Sequence, residues 1–244
     1  MGLVGTLASF AFLQCVTSIA LPEYITQCKR SDPNLNSCAL QSAKDSLHRF
    51  SLGDKSRGLG PLDPLYVPEM TVYVPNQNGI KVAFLDNYFS GLSNLKLDDL
   101  RFDLNKKMIT ADGMVSLDVK GRYELSGKIL VVPVRSNGDS TIVLKNTDLH
   151  IKFWYEHVQG DDGKVHWKIF KHDIKYEVEK ATFKLDNLLN DKAIGDQINR
   201  LLNEMWKEII TEVGPSIAKS LIGAVVQNVG ALLEQVSYDE LMPE

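Results

Sequence analysis

Three cysteines and five histidines are the side chains best suited to nucleophilic, redox or metal chemistry in this chain, and their spacing offers little of it. Residues 1–20 read as a cleaved secretory signal: no charged side chain occurs before Glu23, residues 3–13 form a short hydrophobic run, and Ser18 and Ala20 follow at the small-residue spacing of a cleavage site. An uncleaved anchor is the alternative, because the segment has no Lys or Arg. Cleavage removes Cys15 and leaves the even pair Cys28 and Cys38 in an oxidising compartment, where a disulfide is the default and two free thiols the alternative. Closing that loop stabilises the chain by about 3 kcal/mol in the chain-entropy model. His150, His157, His166 and His172 are scattered among strand-like residues with charged neighbours and read as solvated side chains, so no metal site and no cofactor is expected. Gly-x-Ser-x-Gly, His-Glu-x-x-His and glycine-rich phosphate motifs are all absent from the sequence. A hydrolase assembled from distant residues remains a minor alternative to a non-enzymatic protein. Tyr123 is the best candidate for a polar handle, since it lies on the apolar parity of its strand and its hydroxyl needs a partner, either a ligand or the backbone.

The elements that would hold a site are dominated by the last quarter of the chain, where residues 193–236 read as helix interrupted only by Gly214 and Pro215. In its first half Ile194, Ile198, Leu201, Leu202, Met205, Trp206, Ile209, Ile210 and Val213 recur at helical spacing between charged residues, so one face can stay wet. The second half keeps only Lys219 and Glu234 as charges and is apolar all round, which demands burial or a membrane. Residues 220–233 fall short of the roughly 20 apolar residues that a span needs and include Gln227 and Asn228. A helix mostly buried in protein, with no stable membrane insertion, is the reading this favours.

Residues 21–244 contain no linker-like stretch and are read as one elongated domain. The formal charge of −4 is spread without a basic field, which argues against nucleic acid and against attraction to an anionic membrane. Beyond Asn36, a candidate N-cap, Leu40, Ala43, Leu47 and Phe50 give a short amphipathic helix. Residues 53–68 read as an ordered loop, and the period then changes to two. Strands are expected over 71–74, 80–85, 95–104, 114–125, 128–134, 141–144, 149–157, 165–170 and 174–185, with turns at Asn78-Gly79, Asn137-Gly138-Asp139 and Asp161-Asp162-Gly163. The fold class is α+β: a strongly curved antiparallel sheet with one wet face, rolled around the apolar helix.

Several motifs resemble those of the takeout and juvenile-hormone-binding protein family of insects, across essentially the whole mature chain. Cys28 and Cys38 match its amino-terminal pair, and residues 60–65 look like its approach to the first strand. Residues 121–130 followed by Pro133 are similar to its Gly-x-Tyr-x-x-x-Gly-Lys hairpin, and residues 187–196 continuing to Trp206 and Pro215 resemble the entry into its long helix. The tail at 238–243 favours the takeout branch. A glycine usual between Asn190 and Asp191 is missing, and Met205 stands where asparagine is common. The resemblance implies an internal hydrophobic tunnel and a secreted, extracellular carrier of a juvenile-hormone-like terpenoid or fatty chain, with a circadian or chemosensory role, its partner being that hydrophobic small molecule. Such a carrier is expected to be a monomer.

Candidate tunnel-lining residues are Val72, Phe84, Leu117, Val119, Tyr123, Leu130, Val132, Phe153, Tyr155, Trp167, Leu201, Met205 and Ile209, all of which could equally be plain core. The helix carrying Leu40, Ala43, Leu47 and Phe50 is a candidate gate. Burying roughly 400 Å² of ligand at about 25 cal/mol per Å² gives on the order of 10 kcal/mol before association costs, so no charged contact is needed. A membrane-contacting lipid-transfer or lipid-sequestering protein is the alternative, although no basic amphipathic stripe supports it. A protein-interaction module with a filled core is a third reading.

Overall fold

A computed structural model describes residues 20–73, 79–129 and 132–244. The signal reading, apart from Ala20, therefore lies outside the described residues, as do Leu130 and the Asn78 half of one expected turn. Strands β1 (Leu65–Tyr73), β2 (Lys81–Ser90), β3 (Lys96–Asp103), β4 (Met108–Ile129), β5 (Val132–Gln159) and β6 (Val165–Leu185) pair antiparallel in one sheet of order β1-β2-β4-β5-β6. One side of β4 is shared, β3 pairing with its first half and β2 with its second.

Nine short strands were expected where six run, three of them very long, because polar residues inside a strand resemble turns. Asn137, Gly138 and Asp139 do not turn; they pair with Glu124, Tyr123 and Arg122. Gly138 is required there by a close approach: a Cβ would stand 2.2 Å from the Asp186 carbonyl oxygen. Ile129 pairs with Val132, so the expected strand over 128–134 belongs half to β4 and half to β5. The turn around Gly163, with φ at +77°, forms as expected between β5 and β6. Register shifts at 85/88, 97/99, 115/117 and 154/155 are bulges that bend and twist their strands, and they supply the curvature that the alternation alone does not encode.

The curved sheet brings its two edge strands, β1 and β6, against one long helix. The carboxy-terminal helix is broken, but at Met205 rather than at Gly214-Pro215: α2 spans Lys192–Glu204 and α3 spans Trp206–Gln235. Asp191 caps α2, its carboxylate accepting from the Ile194 N–H. Asn199 and Asn203, one turn apart, then clasp the free edge of β6, each side-chain amide exchanging two hydrogen bonds with the backbone of Leu185 and Phe183 respectively. Gly214 serves a different purpose, since a Cβ there would lie 2.4 Å from the Tyr176 hydroxyl. Pro215 is tolerated inside α3 because it and Thr211, whose carbonyl loses its helical partner, both face water.

By length and composition α3 could cross a membrane, and in this fold it packs on β6 and β1. It is less enclosed than its composition suggests, with Gly214, Ile222, Leu232 and Leu233 its buried residues. Leu221, Val225, Val226 and Val229 are partly buried and line an internal cavity. The first helix, α1 (Leu35–Ser51), lies over β3 and is tied down by the Cys28–Cys38 disulfide, whose Cα atoms are 5.9 Å apart. Asn36 is not its cap; its side-chain carbonyl accepts from the Phe102 N–H and pins the helix to β3. A last short helix, α4 (Tyr238–Leu241), follows α3.

Candidate ligand cavity

Side chains on the inner face of the sheet fall into two regions. Toward α2 and the start of α3 they make a solid core, in which Val72, Phe84, Phe89, Val119 and Tyr123 pack with Trp206 and Ile209. Under α1 and the second half of α3 they surround a cavity of about 440 Å³, within the roughly 300–1,000 Å³ common for small-molecule sites. Leu100, Phe102, Ile109, Leu117, Leu149, Phe153, Trp167 and Ile174 form the sheet wall, Leu221, Val225, Val226, Val229 and Leu233 the helix wall, and Leu241 and Met242 one end. Among the described residues, none that lines it is charged.

The space exists because α1 turns small residues inward. Ala39, Ser42, Ala43 and Ser46 line the cavity, joined by Leu47 and Phe50, whereas Leu40 does not. Serines are tolerated in this apolar setting because their hydroxyls are engaged by backbone carbonyls: Ser42 donates to Thr26, Ser46 to Ser42 and Ser51 to His48. The sequence reading chose the larger apolar residues of α1 and missed this serine face, for which the signal is the spacing of Ala39, Ser42 and Ser46 on one side of the helix.

Among the residues proposed from sequence to line a tunnel, the cavity gathers Leu117, Phe153 and Trp167, together with Ala43, Leu47 and Phe50 of the candidate gate. Val72, Phe84, Val119 and Ile209 belong to the packed core, which Leu117 shares, and do not line the cavity. Tyr155 is buried beside the cavity and stacks on Trp167 at 4.2 Å; burial, then the Tyr238 hydroxyl and Asp103, push its hydroxyl pKa up to about 12. Leu201 on α2 and Met205 at the break that follows it are 52% and 46% exposed, outside the cavity. That placement corrects the expectation from helical spacing, because α2 is oriented by its asparagine contacts to β6. Leu130 and the side chain of Val132 lie outside the described part of the structure.

The Tyr123 hydroxyl is engaged by protein. The residue is fully buried, and its hydroxyl donates to the Asp186 carbonyl at 2.8 Å and meets Ser136 Oγ at 2.9 Å, tying β4 to the turn that precedes α2. His166 is likewise not solvated: it is 4% exposed, with Nε2 3.0 Å from Asp162 and Nδ1 3.1 Å from the Val236 carbonyl. His157 lies against the Tyr155 and Tyr238 rings, and burial followed by Lys107 and Arg30 lowers its pKa. Among the described residues no group of three or more His, Cys, Asp or Glu is placed to hold a metal. A second hollow, about 1150 Å³, runs between α2 and the end of β6, but it is polar and of mixed charge, lined by residues such as Lys184, Asp186, Lys192, Asp196 and Arg200.

A curled antiparallel sheet closed over one long helix, with an apolar cavity between them, defines the class of fold. The chain belongs to the haemolymph juvenile hormone binding protein family, whose model matches residues 7–243. It is 27% identical to the circadian clock-controlled protein daywake of Drosophila melanogaster, over 96% of this chain and 93% of that protein. A Schistocerca gregaria protein whose name proposes beta-carotene binding is 23% identical, over 87% of this chain and 86% of its own length. The crystal structure of Takeout 1 from Epiphyas postvittana superposes with a TM-score of 0.78 at 25% identity, covering 89% of this chain and 99% of the other. The takeout and juvenile-hormone-binding resemblance, and the curled-sheet fold with its long carboxy-terminal helix, are thereby established.

Proposed function

We propose that this chain is a secreted, monomeric, non-enzymatic carrier of an elongated hydrophobic molecule, a terpenoid, a carotenoid or a fatty chain, held under α1. The observation that carries this reading is the cavity of about 440 Å³ with no charged residue among the described ones that line it. Helix α1 forms one wall and, through the disulfide at its amino-terminal end, is the element that would open and reclose. Residues 1–20 direct secretion, consistent with the haemolymph setting in the family's description. The test is to secrete the protein from an oxidising host, purify it without detergent, and compare native with denaturing mass spectra. A stoichiometric small apolar adduct supports the carrier; a protein that is empty and refuses terpenoid, carotenoid and fatty probes overturns it.

A second reading, lipid transfer by membrane contact, is favoured by one observation: Ile194 and Leu201 of α2 lie exposed, with Met205 just beyond its end. Flotation with neutral vesicles at physiological salt separates the two readings. Co-flotation abolished by Leu201→Ser would support membrane contact, and a protein that stays behind would remove it.

A further inference from the structure

The segment before α1 and the tail after α3 meet beside the cavity. Leu21 and Ile25 pack with Leu59, Leu232 and Val236 at the end of α3, and Pro22 between them is buried. Ile25, Thr26 and Cys28 line the cavity together with Leu241 and Met242 of the tail. The two stretches also grip each other by polar contacts. Arg30 pairs with Asp239 at 2.9 Å, lies over the Tyr238 ring and donates its backbone N–H to the Pro243 carbonyl at 2.7 Å. The Leu21 nitrogen stands 2.6 Å from Glu240 Oε1 on α4, both residues being partly buried. Because Cys28 is bonded to Cys38, whatever fastens this segment to α4 also fastens the amino-terminal end of α1 over the cavity.

In the unprocessed chain the Leu21 nitrogen is an amide with a single N–H. Hydrolysis of the Ala20–Leu21 bond by the secretory signal peptidase consumes one water, sends the new carboxylate away with residues 1–20 and leaves a protonated amine on Leu21. That amine is charged at neutral pH, so a bond with one charged partner becomes a bond between two opposite charges. Arg57, whose guanidinium donates to the Ala20 carbonyl before cleavage, loses that acceptor and keeps Asp54 at 3.0 Å, so its own charge stays paired.

We propose that removal of the signal completes a latch: the Leu21 α-ammonium pairs with Glu240 and shuts the α4 end of the cavity, so that the processed chain holds its ligand longer than one whose free amine lies elsewhere. This rests on cleavage after Ala20 and on the carrier reading, and adds to them a role for the new amino terminus. A ligand that leaves when the segment lifts from α4 dissociates in proportion to the open population. A partly exposed ion pair changes that population about two- to fivefold.

The test compares the full secreted chain with three altered forms: Gly-Ser-Gly inserted between Ala20 and Leu21, which keeps the Leu21 nitrogen an amide and carries the free amine away; Glu240→Gln; and both changes together. Intact mass identifies the first residue of each. Release of cis-parinaric acid into excess unlabelled fatty acid, followed by stopped flow, reads the door, and urea unfolding without ligand reads the pairing. The unaltered chain is expected to begin at Leu21. Each single change is expected to quicken release about two- to fivefold and the double change no further, with the same failure to add in urea. A chain that begins elsewhere, release rates unchanged by either alteration, or effects that simply add would overturn the latch and leave the carrier intact. Refusal of the probe by the unaltered chain would overturn the carrier reading, while the urea cycle still decides the pairing: effects that add there overturn the latch as well.

Discussion

Replacing Ala43 by leucine converts the space under α1 into protein. Ala43 lies midway along α1 and lines the cavity of about 440 Å³, so the three added carbons are expected to take up part of that space. Each methylene of ligand they displace forfeits about 0.8 kcal/mol of burial, so displacing three costs roughly 2.4 kcal/mol, about fiftyfold in affinity for a ligand that fills the cavity. The fold should not suffer, because leucine is nearly as good a helix former as alanine and filling a void restores contacts. Lys44→Leu, one residue on and exposed, makes a comparable helix substitution without entering the cavity and is the control. Titration of a fluorescent apolar probe, with thermal melting in parallel, reads both quantities. An unchanged affinity in Ala43→Leu, with melting at or above the wild-type value, would refute the placement of the ligand under α1.

Tyr123→Phe removes a buried donor to the Asp186 carbonyl and a contact to Ser136, and should cost about 1–3 kcal/mol in urea unfolding with ligand affinity unchanged. Cys28→Ser with Cys38→Ser frees the tether of α1; stability should fall by about 3 kcal/mol and ligand dissociation should quicken in stopped flow, whereas unchanged exchange rates would remove α1 as a gate. Asp63 links the start of β1 to the turn after β2, its carboxylate accepting from Ser93 Oγ and from the Ser93 and Gly91 N–H groups. Burial is the largest single influence and raises its pKa, but those hydrogen bonds and the charge of His48 together outweigh it and hold the group below the ordinary carboxylate value. With the folded pKa depressed, the contribution is full above the unfolded value of about 3.9 and is lost as pH falls through the folded pKa. Asp63→Asn should therefore flatten the acid limb of the stability profile, and an unaltered limb would show that these bonds do not matter.

Much of the architecture is legible because burial imposes period. The alternation along β4 and β5, and the second half of α3 with Glu234 its one charged side chain, are enough to anticipate a curled sheet against an apolar helix. What failed did so for local reasons. Gly138 looks like a turn because the sequence cannot show the Asp186 carbonyl that presses on it from 48 residues along the chain. Gly214-Pro215 looks like a helix break because neither the Tyr176 hydroxyl nor the wet face of α3 can be seen in one dimension. Asn199 and Asn203 read as ordinary polar helix residues, although their amides clasp the edge of β6 and turn Leu201 and Met205 outward. The site was partly legible: an inward apolar residue looks the same whether it borders a void or a neighbour, so Leu117 and Phe153 could not be told from Val72 and Phe84. The feature that separates them, small and hydroxyl residues on the inner face of α1, reads as polarity until the carbonyls that accept from those hydroxyls are in view.

The central claim is that an apolar ligand lies between α1 and the second half of α3. A fatty probe carrying a diazirine near mid-chain, equilibrated with the secreted protein and photolysed, would attach to whatever surrounds it, and peptide mass spectrometry would locate the bond. Saturable labelling within residues 39–50 and 221–233, competed away by excess unlabelled ester, is the predicted result. Labelling confined to residues 194–205, on α2 and the break after it, or labelling that no competitor reduces, would contradict it.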